Sequence, residues 1–464
     1  MGRDLVKYER YRIPTAPAPN VAKHPSRFKV RVSRVQLARL LLRELIRYRG
    51  DLPVVLSRPC VYGVFSGPTG GFLPREPLCV GCLRCTVEHP SVVQILPNPA
   101  HAELGDSYFD PDKVATVLYE AATGRVPVRG AGYGGAFGGS GWDGMWTDMS
   151  EIVRPTRDGI HGRETISTAV AIGRIPRALE FDSAGDLIGP LPPVITLPIP
   201  ILFDWMPDLA IQTTALRALQ NAAGTLQTLM LAPTELALRE GGACVPLVRP
   251  HELDRLVEER HRFGFVELDG WDPAAYQRLH SALPDTVIAV RLPLGQSPLD
   301  LAAHGVGVFH LAADYHGRST DQFALDAIRE THDQLVRAGL REQVTLIGSG
   351  GFAAAEHVPK AIIAGLDAVA LDSALLIALQ ARIVGELRRP GEGGFQLPPF
   401  EVAWGAQRIV NLIASWRDQL LEVLGAMGLR ELRRLRGEMG RAMFQADLER
   451  EAFAGIEGFE HGAP

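Results

Sequence analysis

The sequence predicts an α/β protein: a (β/α)8 barrel preceded by a small cysteine-rich domain and followed by C-terminal helices. Three observations carry this. Eight apolar strand-like runs alternate with helical patterns between residues 194 and 373. Near-continuous apolar strands belong to parallel sheets buried on both faces. Ahead of them, residues 51 to 146 are rich in Pro and Gly and hold four of the five cysteines, and behind them lie two further helical patterns.

The expected divisions are a basic arm and amphipathic helix over 1–50, a cysteine-rich, ferredoxin-like domain with a Gly-rich linker over 51–146, the barrel over 147–385, and a linker with helices over 386–464. In the first of these, residues 26 to 50 combine the apolar stripe Val35, Leu37, Leu40, Leu41, Leu42 and Ile46 with seven arginines and a lysine. Such a helix packs on the protein's own body, docks a partner, or lies on an anionic membrane surface. A helix is also expected over Pro111 to Gly124, with an acidic first turn and a glycine stop.

The stretch RGAGYGGAFGGSGWDGMW formally fits G-x-G-x-x-G at Gly130, Gly132 and Gly135, but more glycine follows where the dinucleotide fingerprint needs a helix. It reads as a linker or cover loop. The barrel strands are expected at 194–204, 225–231, 244–250, 263–270, 286–294, 307–314, 344–351 and 367–373. Helices are expected at Thr320 to Ala338 and Ala354 to Ala364 within the barrel, and at Glu401 to Gly425 and Leu429 to Phe444 after it. A doubly wound sheet is the rival, disfavoured by the count of eight and by the lack of a glycine fingerprint after any strand.

A formal charge of -5 gives no overall basic field, so nucleic acid is not an expected partner. Five cysteines, three of them within seven residues, do not form a secreted disulfide framework, which places the chain in a reducing cytoplasm. The most apolar run, Val194 to Met206, is broken by prolines and Asp204, short of the ~20 apolar residues of a membrane span.

CVGCLRCTVEHP carries C-x2-C-x2-C at Cys79, Cys82 and Cys85. Three thiolates so spaced converge on one iron–sulfur cluster, 4Fe-4S or 3Fe-4S, while flanking amides donate to the sulfurs. Zinc and purely structural cysteines are the alternatives. The fourth ligand is Cys60, His89 at the ferredoxin position, or absent. Cys244, opening a barrel strand, reads as a buried core thiol.

A barrel's active site lies at the C-terminal ends of its strands. The polar residues there are Asp204, Arg249, Asp269, Arg291, Asp314 with His316, Ser349 and Asp372, either a site for a small charged substrate or a self-neutralising network. Gly348 to Gly351, after strand seven, sits where barrels hold a phosphate. After strand eight comes Leu371-Asp372-Ser373, whose aspartate repels a phosphate dianion if ionised.

The runs TDMSEIVRPTRDGIHGRETISTAVAIGR, PIPIL and IGSGGFAAAEHVPKAIIAGLDAVAL resemble the FMN-dependent synthase domain of glutamate synthase and its stand-alone archaeal-type relatives, over roughly residues 147 to 445. The resemblance implies FMN in the barrel, an iron–sulfur cluster passing electrons, and hydride delivery to an imine-type small substrate. It implies a cofactor role for Gly348, Ser349, Gly350, Gly351 and Ser373, and catalytic roles for Arg291, in the place of the family's lysine, and for Asp314 and His316. It further implies a redox partner protein or a separate amidotransferase subunit, and a homo-oligomer. The loops Phe203 to Pro207 and Leu231 to Glu235 depart from the family pattern, which keeps open an alternative: a flavin-free barrel serving as an electron-transfer or assembly subunit.

Overall fold

The computed structural model describes residues 11–56, 60–66, 70–127, 138–147, 165–207, 212–258, 263–319, 322–453 and 455–456. The chain divides into two compact units. The smaller comprises 20–115 and 127–137; the larger comprises 1–19, 116–126 and 138–464. The glycines Gly130, Gly132 and Gly135, and most of the TDMSEIVRPTRDGIHGRE stretch, lie outside the described residues.

In the small unit β1 (Phe28–Val32) pairs antiparallel with β2 (Val93–Pro97), with Val30 opposite Ile95. Their inward residues Val30 and Val93 join Val64 and Val92 in a core against which Cys60, Cys79 and Cys85 pack. The basic helix forms over Arg34–Arg47, shorter than the pattern suggests because residues 28–32 are spent on β1. Its Leu37 and Leu40 press on this core, while Val35, Leu42 and Ile46 face outward.

In the large unit β3 (Met145–Thr147) and the hairpin β4 (Val170–Gly173) with β5 (Val194–Leu197) precede a closed parallel barrel. The barrel strands are β6 (Ile201–Phe203), β7 (Met230–Pro233), β8 (Cys244–Val248), β9 (Phe265–Asp269), β10 (Val287–Pro293), β11 (Val308–Ala312), β12 (Thr345–Ser349) and β13 (Ala368–Leu371). All eight expected strands are present, with two boundaries changed. The run 194–204 splits, because Pro198 and Pro200 end β5 before β6 starts, and residues 225–226 close the helix Thr213–Leu226 instead of opening β7.

Helices Ala324–Arg337 and His357–Ala364 follow β11 and β12 as expected. After β13 come β14 (Arg382–Val384), paired with β15 (Gly394–Gln396), and the long helix Val402–Ala426. That helix packs on Thr213–Leu226, and Gly405 lets it approach: a Cβ there meets Ala218 Cβ at 2.9 Å. The expected helix Leu429 to Phe444 does not form. Gly428, Gly437 and Gly440 interrupt it, and the segment folds as 3-10 turns and as β16 (Ala442–Phe444), which pairs with β3. Among the described residues, no helix is long and apolar enough to cross a membrane.

Candidate functional site

Register decides which barrel side chains point inward, because alternate residues of a strand face opposite sides. Glu267 lies beside Ala289, Arg291 beside His310, Ala312 beside Ser349, and Ser349 beside Ala370. The inward phase therefore runs through Glu267, Arg291, His310 and Ser349, and it reaches Asp204 and Asp372 where β6 and β13 end. All lie in the half of the barrel toward the strands' C-terminal ends.

Arg291 ties four of these together. It donates through Nε to Glu267 at 2.6 Å and through a terminal nitrogen to Asp204, and His310 Nδ1 sits 2.9 Å from Glu267 Oε1. Burial alone pushes the Glu267 carboxyl up, but the neighbouring His310 and Arg291 outweigh it and bring it to about 2. Glu267 is therefore an ionised acceptor. The opposite holds for Asp372, which burial and then the Asp204 carboxylate raise to about 7. Its carboxyl accepts the Ser373 N–H, capping the following short helix with its own oxygen.

The other residues singled out by sequence take separate places. Arg249 and Asp269 form a loose exposed pair at 3.7 Å. Asp314 organises the loop after β11, its Oδ1 accepting the N–H groups of His316 at 3.0 Å and Arg318 at 2.8 Å. That loop lies against the glycine turn after β12. A Cβ on Gly350 (φ +93°) lands 2.2 Å from the Asp314 carbonyl oxygen, and one on Gly351 (φ +75°) lands 2.7 Å from Gly317 Cα. Both glycines are required by this backbone contact. Gly348 faces the helix layer, where a Cβ meets Leu366 at 2.5 Å.

Sequence reasoning missed Glu267 and His310, although each is a polar residue in the inward phase of an otherwise apolar strand. It also missed a clamp at the start of helix His357–Ala364. Trp142 stacks on Phe352 with centroids 5.5 Å apart, Asp143 pairs with His357 Nε2 at 3.0 Å, and Lys360 donates to the Trp142 carbonyl at 2.8 Å.

Three buried polar atoms at the mouth have no hydrogen-bond partner among the described residues: Ser373 Oγ, Asp314 Oδ2 and His310 Nε2. Buried polar atoms are normally paired. Two of them still face a charge, His310 Nε2 the Asp204 carboxylate at 4.0 Å and Asp314 Oδ2 the Arg388 guanidinium at 3.9 Å, which leaves Ser373 Oγ as the atom that best fits a polar ligand entering the mouth, FMN being such a ligand.

In the small unit, Cys60, Cys79, Cys82 and Cys85 line one small pocket, together with Val64, Gly81 and Ile95. His89 is not among its lining residues. Burial pushes the Cys79 and Cys85 thiols up, and each of the two also feels Cys60 and Cys82. The Gly81 N–H stabilises the Cys79 sulfur, while the Thr86 N–H beside Cys85 donates to the Leu83 carbonyl at 3.0 Å. Gly81 (φ +72°) has no room for a side chain, since a Cβ meets the Phe28 ring at 2.4 Å. Four thiols around one space, with a backbone amide toward one of the sulfurs, fit the donor set that an iron–sulfur cluster takes.

The sequence model of the conserved region in glutamate synthase matches residues 321–387, the stretch holding β12, the glycine turn and β13. Archaeal-type glutamate synthase (NADPH) of Dehalococcoides mccartyi is 23% identical over 441 residues, spanning 78% of this chain and 86% of that protein. Over this stretch the chain is similar to the glutamate synthase family. Another relative, archaeal glutamate synthase (NADPH) of Methanocaldococcus jannaschii, is 36% identical over 126 residues, 25% of this chain and 24% of that one. A solved flavocytochrome b2 mutant with pyruvate bound matches 70% of this chain and 79% of its own, at 12% identity and a TM-score of 0.41.

Proposed function

We propose that this oxidoreductase of the glutamate synthase family binds FMN at the barrel mouth and an iron–sulfur cluster in the cysteine unit, and acts on the CH–NH2 or imine group of a small substrate. The observation that carries the substrate class is the charge of the mouth. Arg291 is matched by two carboxylates, Asp204 and Glu267, with Asp372 close to Asp204. His310, paired with Glu267, adds to the positive side when protonated, and with Asp372 ionised the balance is still negative and suits a cationic amine or iminium.

Ser373, Ser349 and the turn Gly348 to Gly351 would hold the flavin. When bound, FMN supplies hydride transfer. Asp372, at about 7, holds or releases a proton near neutral pH. Arg291 fixes Asp204 and Glu267 by hydrogen bonds and helps keep Glu267 ionised. Asp314 positions His316 through the loop it organises. Cys60, Cys79, Cys82 and Cys85 would hold the cluster, which carries single electrons.

The alternative, a flavin-free barrel serving as an electron-transfer or assembly subunit, is favoured by one observation. One amide of the expected phosphate turn is already used, the Gly351 N–H on the Tyr315 carbonyl at 3.2 Å, and so is one just after it, the Ala353 N–H on His357 Nδ1 at 3.1 Å. Titration of FMN into flavin-stripped full-length protein separates the two. Saturable quenching of flavin fluorescence, weakened in Ser373→Val, supports the oxidoreductase; no quenching leaves the flavin-free reading.

A further inference from the structure

Between β4 and β5 the chain leaves the barrel as a ribbon in which every residue from 177 to 191 is exposed. The ribbon is held by its own bonds. The Asp182 N–H donates to the Asp186 carbonyl and the Ile188 N–H to the Glu180 carbonyl, each at 2.8 Å, and at the tip Asp182 Oδ1 accepts the N–H groups of Ala184 and Asp186, each at 2.9 Å. Phe181 lies opposite Leu187. Side chains alternate across such a ribbon, so Leu179, Phe181 and Leu187 share one face, while Glu180, Asp182 and Asp186 share the other with Ile188.

That alternation belongs to a half-buried hairpin, yet the apolar face is open: Phe181 is 57% exposed and Leu179 52%. A two-stranded hairpin alone is marginal in water and needs a surface to pack on. With Ile175, Ile188 and Leu191, which are exposed too, the arm carries six large apolar side chains. At roughly half exposure they amount to on the order of 500 Å² of apolar surface, more than scattered surface residues account for. The foot of the same arm borders a cavity of about 350 Å³, lined by Ile195 and Leu197 of β5 and by Leu229, Val245, Phe263 and Phe265 at or just before the N-terminal ends of β7, β8 and β9. Among the described residues its lining holds no polar side chain of the kind that orients a small ligand, so it suits the apolar face of a peptide segment.

We propose that the arm of a second copy of this chain seats its apolar face on this cavity, joining two barrels foot to foot in a reciprocal dimer. Arm and cavity share β5, so one two-fold axis beside that strand satisfies both contacts at once. Two arms bring roughly 1,000 Å² of apolar surface into the contact before the cavities they cover are added, which is the size a stable interface requires. The acidic face of Glu180, Asp182 and Asp186 stays in water. It disfavours an anionic lipid surface as the occupant, because like charges repel there. The barrel mouths lie at the opposite ends of the strands and remain open to ligands.

Sedimentation velocity of the full-length protein over a concentration series reads the assembly. Wild type should be a dimer at micromolar concentration, and high salt should not dissociate it, since the contact is apolar. Phe181→Asp should raise the dissociation constant by about a hundredfold, whereas Phe181→Leu should leave it within about threefold. Phe181 lies in the exposed arm, so thermal unfolding of the barrel should not change. Gly264→Phe fills the cavity from the other side, because a Cβ on Gly264 meets Ile195 at an ordinary 3.6 Å, and it should weaken the dimer as much as Phe181→Asp does. Mixing these two monomeric variants should restore a dimer weaker than wild type, one intact arm meeting one intact cavity. A monomeric wild type, a dimer indifferent to both substitutions, or two variants that fail to complement overturns the proposal. So does a monomeric chain that binds phosphatidylcholine vesicles through Phe181.

Discussion

The cysteine pocket and the barrel mouth are both polar sites in apolar surroundings, yet they are satisfied in opposite ways. In the barrel, Arg291, Asp204, Glu267 and His310 answer one another. At the turn after β13, Ser373 Oγ is left without a hydrogen bond among the described residues. In the small unit the thiols gain nothing from one another, since the neighbouring cysteines add to the burial that already opposes their ionisation. The first arrangement is stable by itself and accepts a ligand at its rim. The second leaves the thiols neutral, and in the function proposed above a soft metal centre would take them as ligands.

The sharpest way to break this contrast is to remove a thiol. Cys79→Ala, Cys82→Ala and Cys85→Ala should each lose most iron and acid-labile sulfide. Cys60→Ala should lose the four-iron form, whereas His89→Ala should keep it; iron and sulfide assays on anaerobic protein decide. Next in size is Arg291→Met, which strands two buried carboxylates and should cost about 3–5 kcal/mol in denaturant unfolding of the barrel.

Asp372 tests the mouth through pH. Its folded value of about 7 lies above the ordinary 3.8, so the folded state binds the extra proton. Its stabilising contribution is complete below about 4 and is lost as pH rises through 7. Asp372→Asn should flatten that decline, by at most ~4 kcal/mol across the window. Smallest is Gly81→Ala, which forces a Cβ into the Phe28 ring and should destabilise the small unit by about 1–3 kcal/mol, read as faster cluster loss.

The sequence showed the barrel clearly because parallel strands buried on both faces are apolar along their whole length, and that pattern needs no long-range information. Its errors came where a local pattern had two solutions. Residues 429–444 have apolar spacing but glycines that end a helix, and 194–204 is apolar throughout but divided by prolines. The gathering of the cysteines was partly legible, since C-x2-C-x2-C is local, while the choice between Cys60 and His89 depended on how the chain folds back. Glu267 and His310 were hidden because their partner, Arg291, is fixed by strand register rather than by spacing along the chain.

The central claim is that one chain holds both a cluster and a flavin. The direct test is a visible spectrum of anaerobically purified full-length protein with iron, sulfide and flavin quantified on the same sample. The account predicts iron and sulfide bound through the four cysteines, together with one FMN per chain. Cluster absorbance with no flavin, before or after incubation with FMN, would contradict it.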